Sequence, residues 1–476
     1  MMNYSVEDLQ KWDEKILAKV EEFGLDPFPQ HFEICDHFQM LGYMSYSGMP
    51  SRYPHWSFGK AYEKQKTLYD YGVSGLPYEM VINSNPSLAY LMRDNSLLLQ
   101  ILTIAHVYAH NDFFKNNFTF RHSNNQYTIE KFKTHADRVR DYVEAPGIGQ
   151  TKVDEILDAA HALSLQCRRN LEIRKLNREE QEDLAWERSQ PRYDPYQAIH
   201  KREEWKPPDT SRVPLEPDED LLLFIRDHNF NLSEWEKDLL TIIHQETQYF
   251  LPQIETKIMN EGWASFWHKR ILDSLELPQE LHIEFMVRHN QVLRPTPGQI
   301  NPYHLGYRIY EDIESRWDDP TDEEKTESGR KNGEGREKIF QVRKIDRDSS
   351  FLRQYLTEEL VRDMDLFRHE KQGNDRVVSE IADEDNWEKI KQTLIKQVGT
   401  TSIPVIKIFD SDHLGERTLY LKHDYDGREL DLEYAEKTIA YAQQLWGHPV
   451  MLETLLDDKE HHLVHDGQQF KTVKAG

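Results

Sequence analysis

Apolar residues recur in two rhythms along this chain, one helical and one alternating. The helical rhythm comes first. Leu97-Leu-Leu-Gln-Ile-Leu-Thr-Ile-Ala-His-Val-Tyr-Ala-His110 is apolar at almost every position. That pattern predicts a helix buried on all sides, with Asn95 or Ser96 as its N-cap. Residues 254–272 predict a second such helix, with Pro252 in its first turn, where a missing N–H costs little. Ile258, Glu261, Ser265, His268 and Leu272 share one face of it, and Met259, Trp263, Phe266 and Trp267 make the flanks apolar. Further helices are predicted over residues 5–23, 32–41, 128–143, 152–176, 233–250, 282–288, 301–314 and 349–367, and a short strand over 78–83.

The alternating rhythm comes last. Residues 405–409 and 418–423 read as strands, Asp426-Gly427 as a turn, 432–445 as a helix and 450–454 as a strand. The fold class is therefore α+β, with a mainly helical N-terminal domain and a small α+β C-terminal domain. The predicted division is a core domain over 1–316, a charged flexible linker over 317–337, and a C-terminal region over 338–476 that is helical before it turns to strands.

Two stretches break the rhythm. Residues 42–59 form a Gly-, Pro- and Ser-containing aromatic loop, which reads either as a plug over the core or as a substrate-contacting loop. Arg52, His55 and Trp56 are its candidate substrate contacts. Residues 190–220 carry six prolines, at 191, 195, 207, 208, 214 and 217, and read as a long loop within the first domain.

The chemistry sits on the two buried helices. A carboxylate and imidazoles on apolar faces need partners, because an isolated charge there is expensive. His106 and His110 are four apart, so both rings leave one helix face and can chelate one divalent ion, as in the zinc helix H-E-x-x-H. Val107 stands where that motif keeps its general base. Glu261, preceded by Asn260, lies on the other helix, where some metalloproteases of that class hold their third ligand. The candidate metal ligands are thus His106, His110 and Glu261, with zinc the favoured ion and a zincin-like arrangement around the site. His268, seven residues from Glu261, is two turns or about 10 Å further along the axis. It ranks below Glu261 as a ligand and is a candidate base. Glu246 and Glu255 are the other candidate catalytic carboxylates, and Tyr303 and Tyr307, on one helix face, are candidate substrate-site walls. The competing reading is a buried hydrogen-bonded network that only holds helices together.

Four segments resemble the stage V sporulation protein R family. They are Asn83-Ser-Asn-Pro-Ser-Leu-Ala-Tyr-Leu-Met-Arg-Asp-Asn95, Ala105-His-Val-Tyr-Ala-His-Asn-Asp-Phe-Phe-Lys-Asn-Asn117, Tyr249-Phe-Leu-Pro-Gln-Ile-Glu-Thr-Lys-Ile-Met-Asn-Glu-Gly-Trp-Ala-Ser-Phe-Trp-His268 and Asn301-Pro-Tyr-His-Leu-Gly-Tyr307. The resemblance implies a cytoplasmic sporulation protein needed for spore cortex, a specialised peptidoglycan. It implies no reaction.

Composition narrows the partners. Over 476 residues, 59 Lys and Arg against 84 Asp and Glu give a formal net charge of −25, which disfavours nucleic acid and anionic lipid. Cys35 and Cys167 are the only cysteines, too few for a disulfide framework. No apolar run is long enough for a membrane span, and the first residues lack a signal pattern. Two functions follow: a metal-dependent hydrolase acting on a peptide, amide or cell-wall precursor, or a non-enzymatic regulator that binds sporulation or cell-wall synthesis proteins.

Overall fold

The computed structural model describes residues 4–71, 76–123, 126–170, 173–190, 207–295, 300–372, 375–381 and 387–474. They fall into two compact units, each built from two separate stretches of chain. The first comprises Met1–Arg140 and Gln248–Ser402, and the second Asp141–Thr247 and Ile403–Gly476. The units interleave along the sequence, whereas periodicity alone divides the chain into consecutive blocks. Periodicity reports which face of an element is apolar, not which distant element covers it.

The first unit is organised around the helix Leu97–Asn116, in which every residue from Leu98 to Phe114 is buried. Ser96 caps it, its hydroxyl accepting from the N–H of Leu99 at 3.2 Å. Three strands lie in one sheet beside it. Ser87–Met92 is central, parallel to Gln30–Cys35 and antiparallel to Glu79–Ile82, with Glu79 opposite Leu91. The expected helix over 32–41 is a correction. The strand Gln30–Cys35 occupies its first half, and the helix His37–Ser45 begins only after Asp36, whose side chain closes a capping box with Gln39.

The second buried helix, Lys257–Ser274, packs between Leu97–Asn116 and Pro302–Asp318. Its crossing with Pro302–Asp318 is close because Gly262 and Gly306 face one another. A Cβ on either would fall inside the backbone of the other helix. The predicted start is also corrected. Pro252 lies in the last turn of the helix Glu234–Glu255, and Lys257–Ser274 starts after Thr256. The new helix is capped from elsewhere: the Asp348 carboxylate accepts the N–H groups of Ile258 and Met259, each at 2.9 Å. A buried ion pair locks the far side, where Asp112 accepts from Arg343 Nη1 at 2.5 and 2.6 Å and from Trp263 Nε1 at 2.8 Å.

The charged segment 317–337, expected as a flexible linker, contains the helix Asp322–Glu327, opened by a Thr321–Glu324 capping box. The helix expected over 349–367 is two short ones, Asp348–Tyr355 and Glu358–Asp363. Of the proline-rich stretch 190–220, residues 191–206 lie outside the described residues.

The second unit contains a five-stranded sheet in the order Phe470–Lys474, Lys459–His465, Val450–Leu456, Thr418–His423, Ile406–His413. Only Val450–Leu456 and Thr418–His423 pair in parallel, joined by the helix Leu432–Trp446. Gly447, at φ 75°, ends that helix in the left-handed conformation. Strand, strand, helix, strand is the predicted order, followed by two strands whose charged sequences hid them. The molecule is mostly helical with this smaller sheet, an α+β architecture. No helix among the described residues is long and apolar enough to cross a membrane.

Candidate metal centre

His106 and His110 leave the same face of Leu97–Asn116, their ring centroids 4.5 Å apart. Lys257–Ser274 brings Glu261 to that face. Glu261 Oε2 stands 3.5 Å from His110 Nε2 and 3.9 Å from His106 Nε2. The strand Glu79–Ile82 adds a fourth group: the Glu79 carboxylate and the two imidazoles each offer a donor atom, all within 4.8 Å of one another. Sequence reasoning missed Glu79. Its signal was a carboxylate set directly against Met80, Val81 and Ile82 in an otherwise apolar strand.

The imidazoles are held from behind. His110 Nδ1 meets Asn260 Oδ1 at 2.8 Å, so with the amide oxygen facing it Nδ1 carries the proton and Nε2 presents a lone pair. His106 Nδ1 meets His268 Nδ1 at 2.8 Å. Glu261 and His268, two turns apart on one helix, thus approach opposite nitrogens of His106. His268 Nε2 in turn meets His289 Nδ1 at 2.8 Å. Both His268 nitrogens are therefore engaged with other imidazoles, which sets it behind His106 in the geometry. His289 also escaped the sequence reading. It and Phe285 are the buried residues of the helix Gln279–Leu293, four apart on one face.

Burial governs the charges. It pulls His110 down to about 4, with the neighbouring His106 adding to the effect. Burial, then His106 and His289, hold His268 well below the usual histidine range. Burial raises the Glu79 carboxyl; His106 opposes this and Glu261 adds to it. Burial acts the same way on Glu261, but His106, His110 and Lys257 together outweigh it and hold that carboxyl below its ordinary value. Two carboxylates in one pocket are thereby driven apart, an arrangement common where acid and base roles divide. The Glu261 charge, reinforced by burial, lifts the Tyr303 hydroxyl far above its usual range.

This donor set suits a divalent metal. Two imidazoles and carboxylate oxygens are the nitrogen and oxygen ligands zinc takes. Glu261 Oε2 is buried with no hydrogen-bond partner, an unsatisfied acceptor aimed at both Nε2 atoms.

The other predicted residues divide. Tyr303 joins the site, its ring stacked 6.1 Å from that of His106. Tyr307 packs 5.6 Å from the His289 ring and donates to Glu311 at 2.6 Å. Glu255 faces elsewhere, accepting from Thr400 Oγ1 at 2.6 Å and from Arg347 Nη1 at 3.3 Å. Glu246 is buried and belongs to the second unit. Arg52 is buried among aromatic rings, 4.7 Å from Phe58 and 5.4 Å from Phe250. His55 caps the helix Trp56–Asp70 through its Nδ1, and the Trp56 ring is exposed.

Comparison with known proteins covers nearly all of this chain. The family described as SpoVR like protein matches residues 3–403, and the SpoVR-like C-terminal domain matches residues 404–457. The uncharacterized protein YcgB of Escherichia coli (strain K12) is 33% identical over 463 residues, covering 92% of this chain and 89% of that protein. No solved structure matches the chain.

Proposed function

This chain belongs to the SpoVR-like family, a family associated with sporulation, and from that premise we propose that it is a metal-dependent hydrolase required for spore cortex formation. The observation that carries the hydrolase reading is the convergence of Glu79, His106 and His110 within 4.8 Å, with the partnerless Glu261 Oε2 beside them. His106, His110 and Glu261 would hold the ion, zinc being the favoured one, and Glu79 stands beside it. A zinc ion with one position open to water would supply a hydroxide near neutral pH.

The residues around it have definable tasks. His110 presents an Nε2 lone pair fixed by Asn260 on its Nδ1, and His106 presents one when its Nδ1–H donates to His268. Glu79, with its raised affinity for protons, is placed to accept one from an attacking water, the task that Val107 cannot perform. The Tyr303 hydroxyl stays protonated and can donate to charge developing on a carbonyl oxygen. These tasks fit cleavage of a peptide or amide bond, and peptidoglycan precursors offer both. We read the protein as cytoplasmic, in keeping with two cysteines that form no disulfide.

The test is hydrolysis of cell-wall stem peptides and muropeptides by zinc-loaded protein, followed by mass spectrometry. Cleavage that disappears in Glu79→Gln supports the reading. Full metal loading without cleavage of any such substrate would favour the non-enzymatic regulator of cortex-synthesis proteins.

A further inference from the structure

His106, His268 and His289 form an unbroken file of imidazoles, linked Nδ1 to Nδ1 at 2.8 Å and Nε2 to Nδ1 at 2.8 Å. All three are buried. A neutral imidazole carries one N–H and one lone pair, so each link holds one proton and the file can run in only two directions. In the first, His106 Nδ1–H donates to His268 Nδ1, His268 Nε2–H donates to His289 Nδ1, and the proton of His289 sits on Nε2. In the second, every proton is on the other nitrogen and His106 Nε2–H points toward Glu261 Oε2.

We propose that His268 and His289 are positioning residues for His106, and that metal bound at His106 Nε2 fixes the file in the first direction. The inference rests on the metal reading above. A metal takes the Nε2 lone pair, so the His106 proton must sit on Nδ1. Both downstream tautomers then follow. Passing from the second direction to the first moves one proton across each link; His106 Nε2 gives up its proton to Glu261 or water as the metal takes the lone pair, and His289 Nε2 takes one up from water. No charge is created in the buried file. Such files matter because a ligand imidazole held by its second nitrogen is oriented and made more basic.

Two measurements test this on the full-length chain. Zinc affinity of the parent comes first, by chelator competition, since no zinc binding there removes the metal reading itself. His289→Phe keeps an aromatic ring but removes the acceptor for His268 Nε2–H, whereas His289→Asn keeps an acceptor. We expect zinc affinity to fall about tenfold in His289→Phe and to stay within about threefold of the parent in His289→Asn. Equal losses in both, or none in either, would overturn the positioning role while leaving the metal site standing. The second measurement needs no variant. Long-range proton–nitrogen spectra of ¹⁵N-histidine-labelled, zinc-loaded protein should show His268 and His289 both as Nε2–H tautomers. His289 found as Nδ1–H with zinc bound would overturn the proposed direction.

Discussion

His106 and His268 meet nitrogen to nitrogen, Nδ1 to Nδ1, at 2.8 Å. The two residues sit on different buried helices, and His106 Nε2 stands 3.9 Å from Glu261 Oε2. A histidine that only held helices together would have no need of a second nitrogen aimed at a carboxylate. The arrangement is that of a ligand imidazole with its back secured.

The two carboxylates should behave differently when neutralised. Glu261 Oε2 is the unsatisfied acceptor and the better ligand, so Glu261→Gln should weaken zinc binding by more than the 10- to 100-fold, roughly, that loss of an outer contact costs. Glu79→Gln should retain more of the affinity. Chelator competition decides between them, and a greater loss for Glu79→Gln would exchange the two roles.

The crossing of Lys257–Ser274 with Pro302–Asp318 depends on two absent side chains. A Cβ at Gly262 has no space, since Gly306 backbone occupies it. Gly262→Ala should cost about 1–3 kcal/mol, the usual penalty for overpacking, despite the better helix propensity of alanine. Urea unfolding of metal-free protein measures it. An unchanged or raised stability would contradict the close crossing.

Asp348 gives a pH dependence of definite sign. It accepts two backbone N–H groups, yet burial pushes its carboxyl up to about 7 from the ordinary 3.8. Between those values the folded chain holds a proton that the unfolded chain has released. Its stabilising contribution is thus complete below the ordinary value and is lost as pH rises through about 7. Asp348→Asn cannot titrate. In metal-free protein the variant should gain on the parent as pH rises from about 4 to about 8, by at most about 4 kcal/mol. A difference that stays flat over this range would contradict the shift.

How much of this was legible beforehand follows from the range over which each signal acts. His106, His110 and Glu261 could be read because helical spacing is local and fixes which side chains share a face. The α+β class was equally local, since the change from helical to alternating period is visible within a few residues of 405–423. Glu79 could not be read the same way. It lies on a four-residue strand whose neighbour across the sheet is Leu91, and nothing in its own window points to the histidines. His289 lies just past the helix read over 282–288, and nothing local marks it; its meaning comes from His268, which the fold sets against it. The break at Thr256 was hidden because the group that caps the new helix, Asp348, comes some ninety residues later. Glu255, a candidate general base in the sequence, sits just before that break and faces Arg347 and Thr400 instead.

The most direct measurement is metal content by elemental mass spectrometry, on purified full-length protein and on a folded His106→Ala/His110→Ala variant. A zinc centre built as described should give about one equivalent of metal per chain in the parent and almost none in the variant. A parent that takes up no zinc, iron or manganese after incubation, or a variant that loads as fully as the parent, would contradict it.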